Sequence, residues 1–536
     1  MERDVGLLPW QQAAILAGIT FAVFSPTLAS GFVYDARLQI LTDPFLHDPR
    51  NWLPVLSFGT LRMDVLDFNR PVNLASLMLD AAVWGKAPFG YHLTSVLLHV
   101  VNVLMVWALV RGIRRDPRAE DPETTGSLTK YGPLVAAAVF AVHPVVTEAV
   151  CEPTFREDLL VTSFSLGALL LVMGRVRQAV VFRGGDRWRA IGCVACCLLA
   201  TASKESGVAA PFLVATFWWV FRRDETDGFW RSAIGGGALV TVAFLAARFL
   251  LEPTPSRIFD SRPAYPGGSL GAAMLIEPRI LALYAQLIIM PISLSADYGL
   301  YSVRHLPLPF AVFILAGLIA AALVAIRTDR RFALAMALIA LPLVPVANLI
   351  PIYRAAADRY LYFPMTGVAV TIGLLLDLAW LASRAHLRTR CVISLLAAVA
   401  ALGLACIERQ KVWANPMALW VDTYRKNPVS FTAATGLGEA LREEGRLDGA
   451  EQATRDAIRL SAGSRGDSWA TLALILDSQG RVAEAKKILA KALEVDPRLK
   501  NPDARVDALA MEHATADELK VLMGKVGLEP AATDRP

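Results

Sequence analysis

The sequence predicts an all-α protein in which a polytopic membrane domain precedes a small soluble domain of helical repeats. First, 55% of the 536 residues are hydrophobic and the mean hydropathy is +0.45, more apolar surface than a soluble globular chain can bury. Second, apolar runs recur through residues 1–407, whereas residues 408–536 are polar and rich in Ala, Glu, Asp, Arg and Lys. Third, that polar part repeats itself after 35 residues.

We predict about eleven membrane spans in the first domain. They lie at residues 9–30, 91–111, 132–150, 158–174, 190–203, 207–221, 232–251, 309–326, 332–350, 362–383 and 391–407. The fifth and sixth are short for a hydrocarbon core of about 30 Å, which predicts tilted spans or a hairpin packed inside the protein. Residues 271–292 are also apolar, but Glu277, Pro278 and Arg279 interrupt them, so we interpret this segment as an interfacial or re-entrant helix. The first span lacks the basic start of a signal peptide and is predicted to stay in place.

The arginines between the spans predict the orientation of the domain. Five short connections are dense in arginine, around residues 111–118, 175–189, 222–231, 327–331 and 384–390. By the positive-inside rule these connections face the cytoplasm, together with the N-terminus. The long segments 31–90 and 252–308 then lie on the exported side, and an odd number of spans places the soluble domain there as well.

The soluble domain contains two similar helical hairpins. Residues 445–458, GRLDGAEQATRDAI, align with residues 480–493, GRVAEAKKILAKAL, and small residues such as Gly445 and Gly480 fall in register. Small residues at these positions let two helices pack closely, and the period is near that of tetratricopeptide repeats. We therefore predict a membrane domain at 1–407, a linker helix at 408–429, and a tetratricopeptide-repeat (TPR) domain at 430–536 with two repeats and a C-terminal helical cap.

Ionisable side chains of the membrane domain concentrate on the predicted exported side, several at the ends of spans. Charge near a membrane is costly, so this clustering indicates function. A transporter would instead place such groups near the bilayer midplane, within reach from both sides. The cluster includes Asp35, Asp43, His92, His143, Glu148, Arg156, Asp158, Lys204, Arg279, Arg359 and Tyr360.

A carboxylate and several cations at an outer interface suit transfer of a group from a lipid phosphate. The phosphate calls for Arg or Lys, and an acceptor hydroxyl calls for a general base. We predict Asp35 as the base, with Lys204, Arg279 or Arg359 binding the phosphate. The neighbouring Cys193, Cys196 and Cys197 have no His or carboxylate beside them in sequence, which favours packing over metal binding, and no metal site or cofactor is predicted.

Several stretches of the chain resemble the transmembrane and tetratricopeptide-repeat-containing O-mannosyltransferase family. They are FVYDARLQILTDP (32–44), residues 69–106, AAVFAVHPVVTEAVCEPTFREDLL (137–160), SKESG (203–207), NLIPIYRAAADRYLYFP (348–364) and residues 410–428. The resemblance implies a GT-C-like glycosyltransferase that uses a polyprenyl-phosphate sugar, with Asp35 as the catalytic acid of the first exported loop. The family shows two adjacent acids there, whereas Ala36 follows Asp35 in this chain, and Phe155 replaces a glycine before Arg156.

From this resemblance and the charge pattern together we assign roles to the cluster. His143 and Glu148 join Asp35 as catalytic candidates, and Arg156 joins the phosphate-binding candidates. The candidates for sugar or acceptor binding are Asp43, His92, Asp158 and Tyr360. If a second acid is essential, Asp43 or Asp64 would have to provide it, or the chain is inactive.

The predicted function is transfer of a mannose-like sugar from a polyprenyl-phosphate donor to Ser or Thr hydroxyls of exported proteins, which the TPR domain binds. The alternative is a non-catalytic membrane scaffold whose exported TPR domain recruits protein partners. A lipid or glycan transporter is a third hypothesis. We expect no nucleic-acid partner, and we favour a bacterial plasma membrane over the endoplasmic reticulum because the repeat domain is short.

Overall fold

The computed structural model describes residues 7–113, 131–177, 184–252, 264–299, 303, 305–382, 385–503 and 513–528. Within these ranges the chain forms helices, turns and loops and contains no β-strand, which confirms the all-α fold. Several of the arginines used to predict orientation fall at residues 114–130, 178–183 and 383–384, outside the described residues.

Thirteen helices of ten or more residues are described in the membrane domain. They are α1 (Pro9–Phe24), α2 (Pro71–Trp84), α3 (Pro88–Ile113), α4 (Gly132–Val142), α5 (Arg156–Arg177), α6 (Gly184–Ser203), α7 (Ala209–Phe221), α8 (Gly237–Leu251), α9 (Leu270–Ile289), α10 (Leu308–Thr328), α11 (Arg331–Ala340), α12 (Pro364–Ala382) and α13 (Ala385–Gln410).

Seven helical segments in the described part of the chain are long and apolar enough to cross a membrane. They are Pro9–Ala29, Pro88–Ile113, Pro153–Arg175, Gly228–Leu251, Leu270–Ile289, Leu308–Thr328 and Arg390–Trp413. The predicted span at 132–150 is a pair of helices bent by 50° at His143. The predicted spans at 207–221, 332–350 and 362–383 correspond to shorter apolar helices, as does α2, which the sequence analysis placed in a loop.

Helix α9 is continuous, and Pro278 lies inside it without ending it. By length and composition α9 could cross a membrane, although we interpreted this segment as interfacial. Its polar contacts join it to three other segments. Glu277 accepts a hydrogen bond from Asn348 at 2.9 Å, and the Tyr284 hydroxyl accepts one from the Ala357 amide at 3.2 Å. The last turn of α9 contacts His143. Asn348 and His143 lie within the predicted spans at 332–350 and 132–150, and Ala357 lies in the loop that follows Asn348.

Gly207 lets the turn after α6 fold back onto that helix. A Cβ atom at this position would lie 2.2 Å from the backbone carbonyl carbon of Ala200, so the backbone itself would have to move. We expect Gly207→Ala to lower the free energy of unfolding by roughly 1–3 kcal/mol, as overpacking of a core does. Unfolding of the detergent-solubilised protein measures the change. Gly18→Ala is the control, because no atom lies within 4 Å of its added Cβ. Equal stability of the two variants would contradict the prediction.

In the described residues of the soluble part there are six helices of ten or more residues. They are α14 (Pro416–Lys426), α15 (Phe431–Glu443), α16 (Leu447–Leu460), α17 (Gly466–Ser478), α18 (Val482–Val495) and α19 (His513–Val526). Helices α15 and α16 form one hairpin, and α17 and α18 form the next. Gly445 and Gly480, which the repeat alignment pairs, both adopt positive φ (72° and 79°) at the turn inside their hairpin. This conformation costs glycine little and other residues more. Residues 504–512 of the predicted cap lie outside the described residues.

The soluble helices pack directly on the side of the membrane domain that the sequence predicts to be exported. Arg37 of the first loop forms two hydrogen bonds with Glu443 at the end of α15, at 2.9 and 2.7 Å. The Lys426 ammonium donates to the Leu294 carbonyl at 2.6 Å, and the Ser430 hydroxyl donates to Asp297 at 2.5 Å. The repeat domain therefore lies beside the loop that carries Asp35.

Candidate active site

Asp35 lies in a short helical turn, Tyr34–Ala36, directly after the first membrane segment. Tyr34 has a φ of 51°, the left-handed region, which costs a non-glycine residue of the order of 1–3 kcal/mol. The Asp35 side chain is exposed and forms no hydrogen bond or ion pair with the described residues. Although the side chain is exposed, the protein atoms around it partly desolvate the carboxylate and raise the pKa of Asp35, and the positive charges of Arg359 and Arg354 lower it. Asp35 is therefore an available carboxylate facing two guanidinium groups.

Aromatic rings hold the residue before Asp35. Tyr34 stacks on Trp420 of α14 with ring centroids 5.4 Å apart, and it meets Phe155 of the third loop edge-on at 5.7 Å. The Arg354 guanidinium lies over the Tyr34 ring at 5.6 Å. These contacts join the first loop to the third loop and to the soluble helices. They offset the strained backbone that presents Asp35.

Arg359 is bound to Glu148 across two loops. Its guanidinium donates to one carboxylate oxygen of Glu148 at 2.5 Å, and its backbone amide donates to the other at 2.9 Å. The Arg359 guanidinium also lies 4.0 Å from the centre of the Phe155 ring and 5.1 Å from that of Tyr360. Glu148 thus neutralises and orients the arginine whose charge lowers the pKa of Asp35 most, and this favours an orienting role for Glu148 over that of a free proton acceptor.

Lys204 lies in a buried group of ion pairs next to this arginine. Its ammonium is 2.6 Å from Asp158 and 3.1 Å from Glu157, and it sits 5.3 Å from the centre of the Tyr360 ring. Tyr360 therefore separates the charges of Lys204 and Arg359. Because Lys204 already has two carboxylate partners, a lipid phosphate would have to share or displace one of them.

The ion pairs continue from Glu157 to the first loop and to α8. Arg70 forms ion pairs with Glu157 and, at 3.0 Å, with Asp67. It also contacts Glu205 at 3.2 Å, and Glu205 in turn contacts Arg248 at 3.0 Å. Burial raises the pKa of Asp67 to about 6, with Arg70 opposing the increase. The sequence analysis assigned no role to these residues. Their sequence signal is that they are charges in an otherwise apolar domain, and Arg70, Glu157 and Glu205 also lie in stretches that resemble the family.

Arg156 does not reach this group of residues, although we expected it to bind phosphate. Its side chain is fully buried and forms an ion pair with Asp80 of α2 at 2.6 Å. It also donates to the carbonyls of Tyr91 at 2.8 Å and Ser76 at 3.2 Å. Because its donors are already engaged by α2 and α3, Arg156 holds these helices together. A lipid phosphate would have to displace Asp80 to reach it.

His143 and His92 are structural in this arrangement, although we listed them as catalytic and substrate-binding candidates. The Nδ1 atom of His143 accepts from the Val145 amide at 3.3 Å, so Nε2 is left to donate to the Ile288 carbonyl at 3.0 Å. This neutral ring closes the bend in the third segment and has no free nitrogen. His92 is buried, with Nε2 3.4 Å from the Gly31 carbonyl.

Asp43 and Arg279 also have backbone partners. Asp43 is buried and accepts from the Phe45 amide at 2.8 Å, which closes a turn of the first loop. Burial raises the pKa of Asp43, and that hydrogen bond opposes the rise. Arg279 on α9 donates to the carbonyls of Leu306 at 2.9 Å and Leu275 at 3.0 Å. These contacts give no sign of binding to substrate.

Six of the eleven predicted residues therefore group around one place: Asp35, Glu148, Asp158, Lys204, Arg359 and Tyr360. Arg354 belongs to the same group and was missed as a site residue. It forms an ion pair with Asp297 at 3.1 Å and donates to Thr432 of α15 at 3.2 Å. Within the described residues, no three His, Cys, Asp or Glu side chains are grouped as metal ligands would be.

Known proteins resemble this chain in sequence. Residues 466–499 match the tetratricopeptide repeat family model. Protein O-mannosyl-transferase F38B6.6 of Caenorhabditis elegans is 23% identical over 464 residues, covering 83% of this chain and 62% of the relative. Protein O-mannosyl-transferase TMTC3 of Mus musculus is 23% identical over 546 residues, covering 92% of this chain and 56% of the relative. The chain thus spans less than two thirds of these relatives.

Among solved structures, ArnT from Cupriavidus metallidurans aligns over 96% of this chain. Its complex with undecaprenyl phosphate gives a TM-score of 0.39 at 14% sequence identity and is covered over 87% of its length. The apo state gives a TM-score of 0.42 at 13% identity and is covered over 88%. The chain is therefore similar in sequence to proteins named protein O-mannosyl-transferases, which agrees with the predicted resemblance.

Proposed function

We propose that this chain is a membrane glycosyltransferase that moves a mannose-like sugar from a polyprenyl-phosphate donor to Ser or Thr hydroxyls of exported proteins. The observation that carries the proposal is the Asp35 carboxylate, which forms no hydrogen bond or ion pair with the described residues and whose pKa is lowered by the charges of Arg359 and Arg354. The names of its relatives support the reaction class. The host membrane we propose is a bacterial plasma membrane, with the site on its exported side.

In the proposed reaction Asp35 is the general base. The acceptor oxygen attacks the anomeric carbon of the sugar, the bond from that carbon to the phosphate oxygen breaks, and the hydroxyl proton passes to Asp35. Polyprenyl phosphate leaves with the electron pair of the broken bond. The growing charge on the phosphate needs cations that are already in place, because preorganised charge acts mainly on the transition state. Arg359, Arg354 and Lys204 are the nearest candidates.

The repeat domain gives a route by which a protein acceptor reaches Asp35. Arg37 lies two residues after Asp35 and binds Glu443 of α15, while Arg354 contacts Thr432 on the same helix. A peptide held along the repeats would therefore end near the proposed base. We propose exported proteins with accessible Ser or Thr residues as the partners.

A transfer assay with the purified chain tests the proposal. The protein in liposomes is given mannosyl-phosphoryl-polyprenol and a Ser/Thr-rich peptide, and mass spectrometry follows mannose on the peptide and release of polyprenyl phosphate. We expect both products in equal amounts. The scaffold alternative predicts that the peptide binds without transfer. Transfer from a nucleotide sugar but not from the lipid donor would show that the proposed donor is wrong.

A further inference from the structure

Glu152 is a buried acid next to Asp35 for which the proposed reaction has no role so far. It follows the bend in the third segment, and its side chain is 0% exposed. One carboxyl oxygen accepts from the Ala36 amide at 3.0 Å and from the Thr154 hydroxyl at 2.8 Å. The other oxygen, Oε2, is buried and has no hydrogen-bond partner among the described residues. Such a group is costly unless it carries a proton or meets a ligand.

The bond from Ala36 to Glu152 acts on the peptide that joins Asp35 to Ala36. The Ala36 side chain itself is buried in an apolar cluster with Phe32 and Ile40. Residue 36 therefore presents its backbone amide to Glu152 and its side chain to the cluster. Because Tyr34 holds a strained backbone one residue earlier, this hydrogen bond helps to fix the direction of the Asp35 side chain.

We propose that Glu152 supplies, from the third exported loop, the second acid that is missing after Asp35. It acts as a positioning residue that holds the Asp35–Ala36 peptide, and it carries the proton of the pair so that Asp35 is the charged member. This inference rests on the proposed function, in which Asp35 is the base.

The electrostatic surroundings support this division of roles. Burial raises the pKa of Glu152 well above that of a free glutamic acid, the Thr154 hydroxyl opposes the rise, and the negative charge of Asp35 adds to it. Arg359 and Arg354 act in the opposite direction on Asp35. Two carboxyl groups in one enclosed site share a proton, and the member nearer to the cations ionises first.

The other titratable and charged groups near Glu152 come from the elements that pack around the third loop. Arg359 and Asp358 lie on the 358–361 turn, and Arg409 lies on α13 with Cys406. Arg409 contacts Asp422 at 2.8 Å. Other titratable or charged groups on these packed elements include Tyr34, Asp35, Tyr91, His92, His99, His143, Glu148, Cys151, Arg156, Glu157, Asp158 and Tyr360.

Infrared difference spectroscopy of the detergent-solubilised protein tests the protonation state without any assay of transfer. At neutral pH we expect a carboxylic-acid band that is lost in Glu152→Gln and kept in Asp35→Asn. Because the charge of Asp35 raises the pKa of Glu152, Asp35→Asn should also move the titration of this band to lower pH. The inference would be overturned if the band were unchanged in Glu152→Gln. It would also be overturned if the pH at which the band titrates were the same in Asp35→Asn as in the native protein.

The transfer assay tests the positioning role. Glutamine keeps an oxygen that accepts from the Ala36 amide, so Glu152→Gln should transfer sugar at close to the native rate at neutral pH. In the native protein we expect the rate to fall at alkaline pH, where Glu152 ionises, and this fall should be absent in Glu152→Gln. The fall of the rate at acidic pH should be the same in both proteins. Glu152→Ala loses the hydrogen bond and should lower kcat by roughly tenfold to a hundredfold. Equal rates for the Ala and Gln variants would contradict the positioning role.

Absence of transfer in the native chain would refute the proposed function. The infrared measurement would then still test whether Glu152 carries a proton.

Discussion

Asp35→Asn is expected to lower the rate of sugar transfer by roughly 10²–10⁴-fold, the usual contribution of a general base. Asparagine has the same shape as aspartate but cannot take the proton of the acceptor hydroxyl. Asp35 forms no hydrogen bond or ion pair with the described residues, so the change removes no contact that holds the fold. Transfer of mannose to the peptide, measured with protein that inserts and purifies normally, gives the result.

The matched control is Asp48→Asn in the same exported loop. Asp48 is partly exposed and pairs with Arg50 at 2.7 Å at the surface, where ion pairs contribute little. We expect native transfer from this variant. If Asp35→Asn transfers sugar at the rate of Asp48→Asn, Asp35 is not the base.

The pH dependence of transfer gives a second test of Asp35. Its enclosure raises its pKa, with Arg359 and Arg354 opposing the increase. Only the charged form accepts a proton, so activity should fall as the pH drops through the raised pKa, at a higher pH than for a free aspartic acid. The rate should be independent of pH in this range once Asp35 is replaced by asparagine.

Arg359→Met is expected to lower the free energy of unfolding by about 3–5 kcal/mol, because Glu148 is then left as a buried charge without its partner. The Glu148 side chain is 1% exposed and the Arg359 side chain 10%, so water cannot replace the missing guanidinium. Unfolding of the solubilised protein by a denaturing detergent measures the loss.

The double variant Glu148→Gln with Arg359→Met separates stability from function. Removing both charges should restore most of the lost stability, as a mutant cycle on a buried pair shows. Transfer should stay strongly reduced, because Arg359, the cation with the largest electrostatic effect on Asp35, is still absent. If Arg359→Met alone had the same free energy of unfolding as the double variant, the Glu148–Arg359 pair would not be buried in solution. Full transfer by the double variant would remove Arg359 from the proposed site.

The sequence by itself predicted the all-α architecture, the apolar spans and the repeat hairpins. These features depend on local properties: the length of an apolar run, a helical period, or a glycine such as Gly445 where the backbone turns with positive φ. The predictions were weaker for segments whose residues point to more than one kind of structure. Helix α9 carries charges and a proline inside an apolar run, and the short apolar helix α2 was read as loop.

The sequence also placed the candidate site on one side of the protein, because charges avoid the hydrocarbon core whatever their partners are. It predicted Asp35, Arg359 and Lys204 as members of the site, and these lie together. It did not predict that Arg156 is held by Asp80 of α2, or that His143 closes a bend. Both residues stand in stretches that resemble the family, and nothing in their local sequence reveals a partner about eighty residues away or more.

Only the tertiary structure decided which charges are already paired and which are available. Lys204 and Arg359 have carboxylate partners from distant segments, whereas Asp35 has none among the described residues. Glu152 reaches the amide after Asp35 across more than a hundred residues of chain. Pairing of buried charges depends on distances of a few ångströms between segments that are remote in sequence, since electrostatic energy falls with distance and rises with burial. Composition and spacing determine in which part of the protein charged side chains lie. Only the folded chain determines which of them are unpaired and available for chemistry.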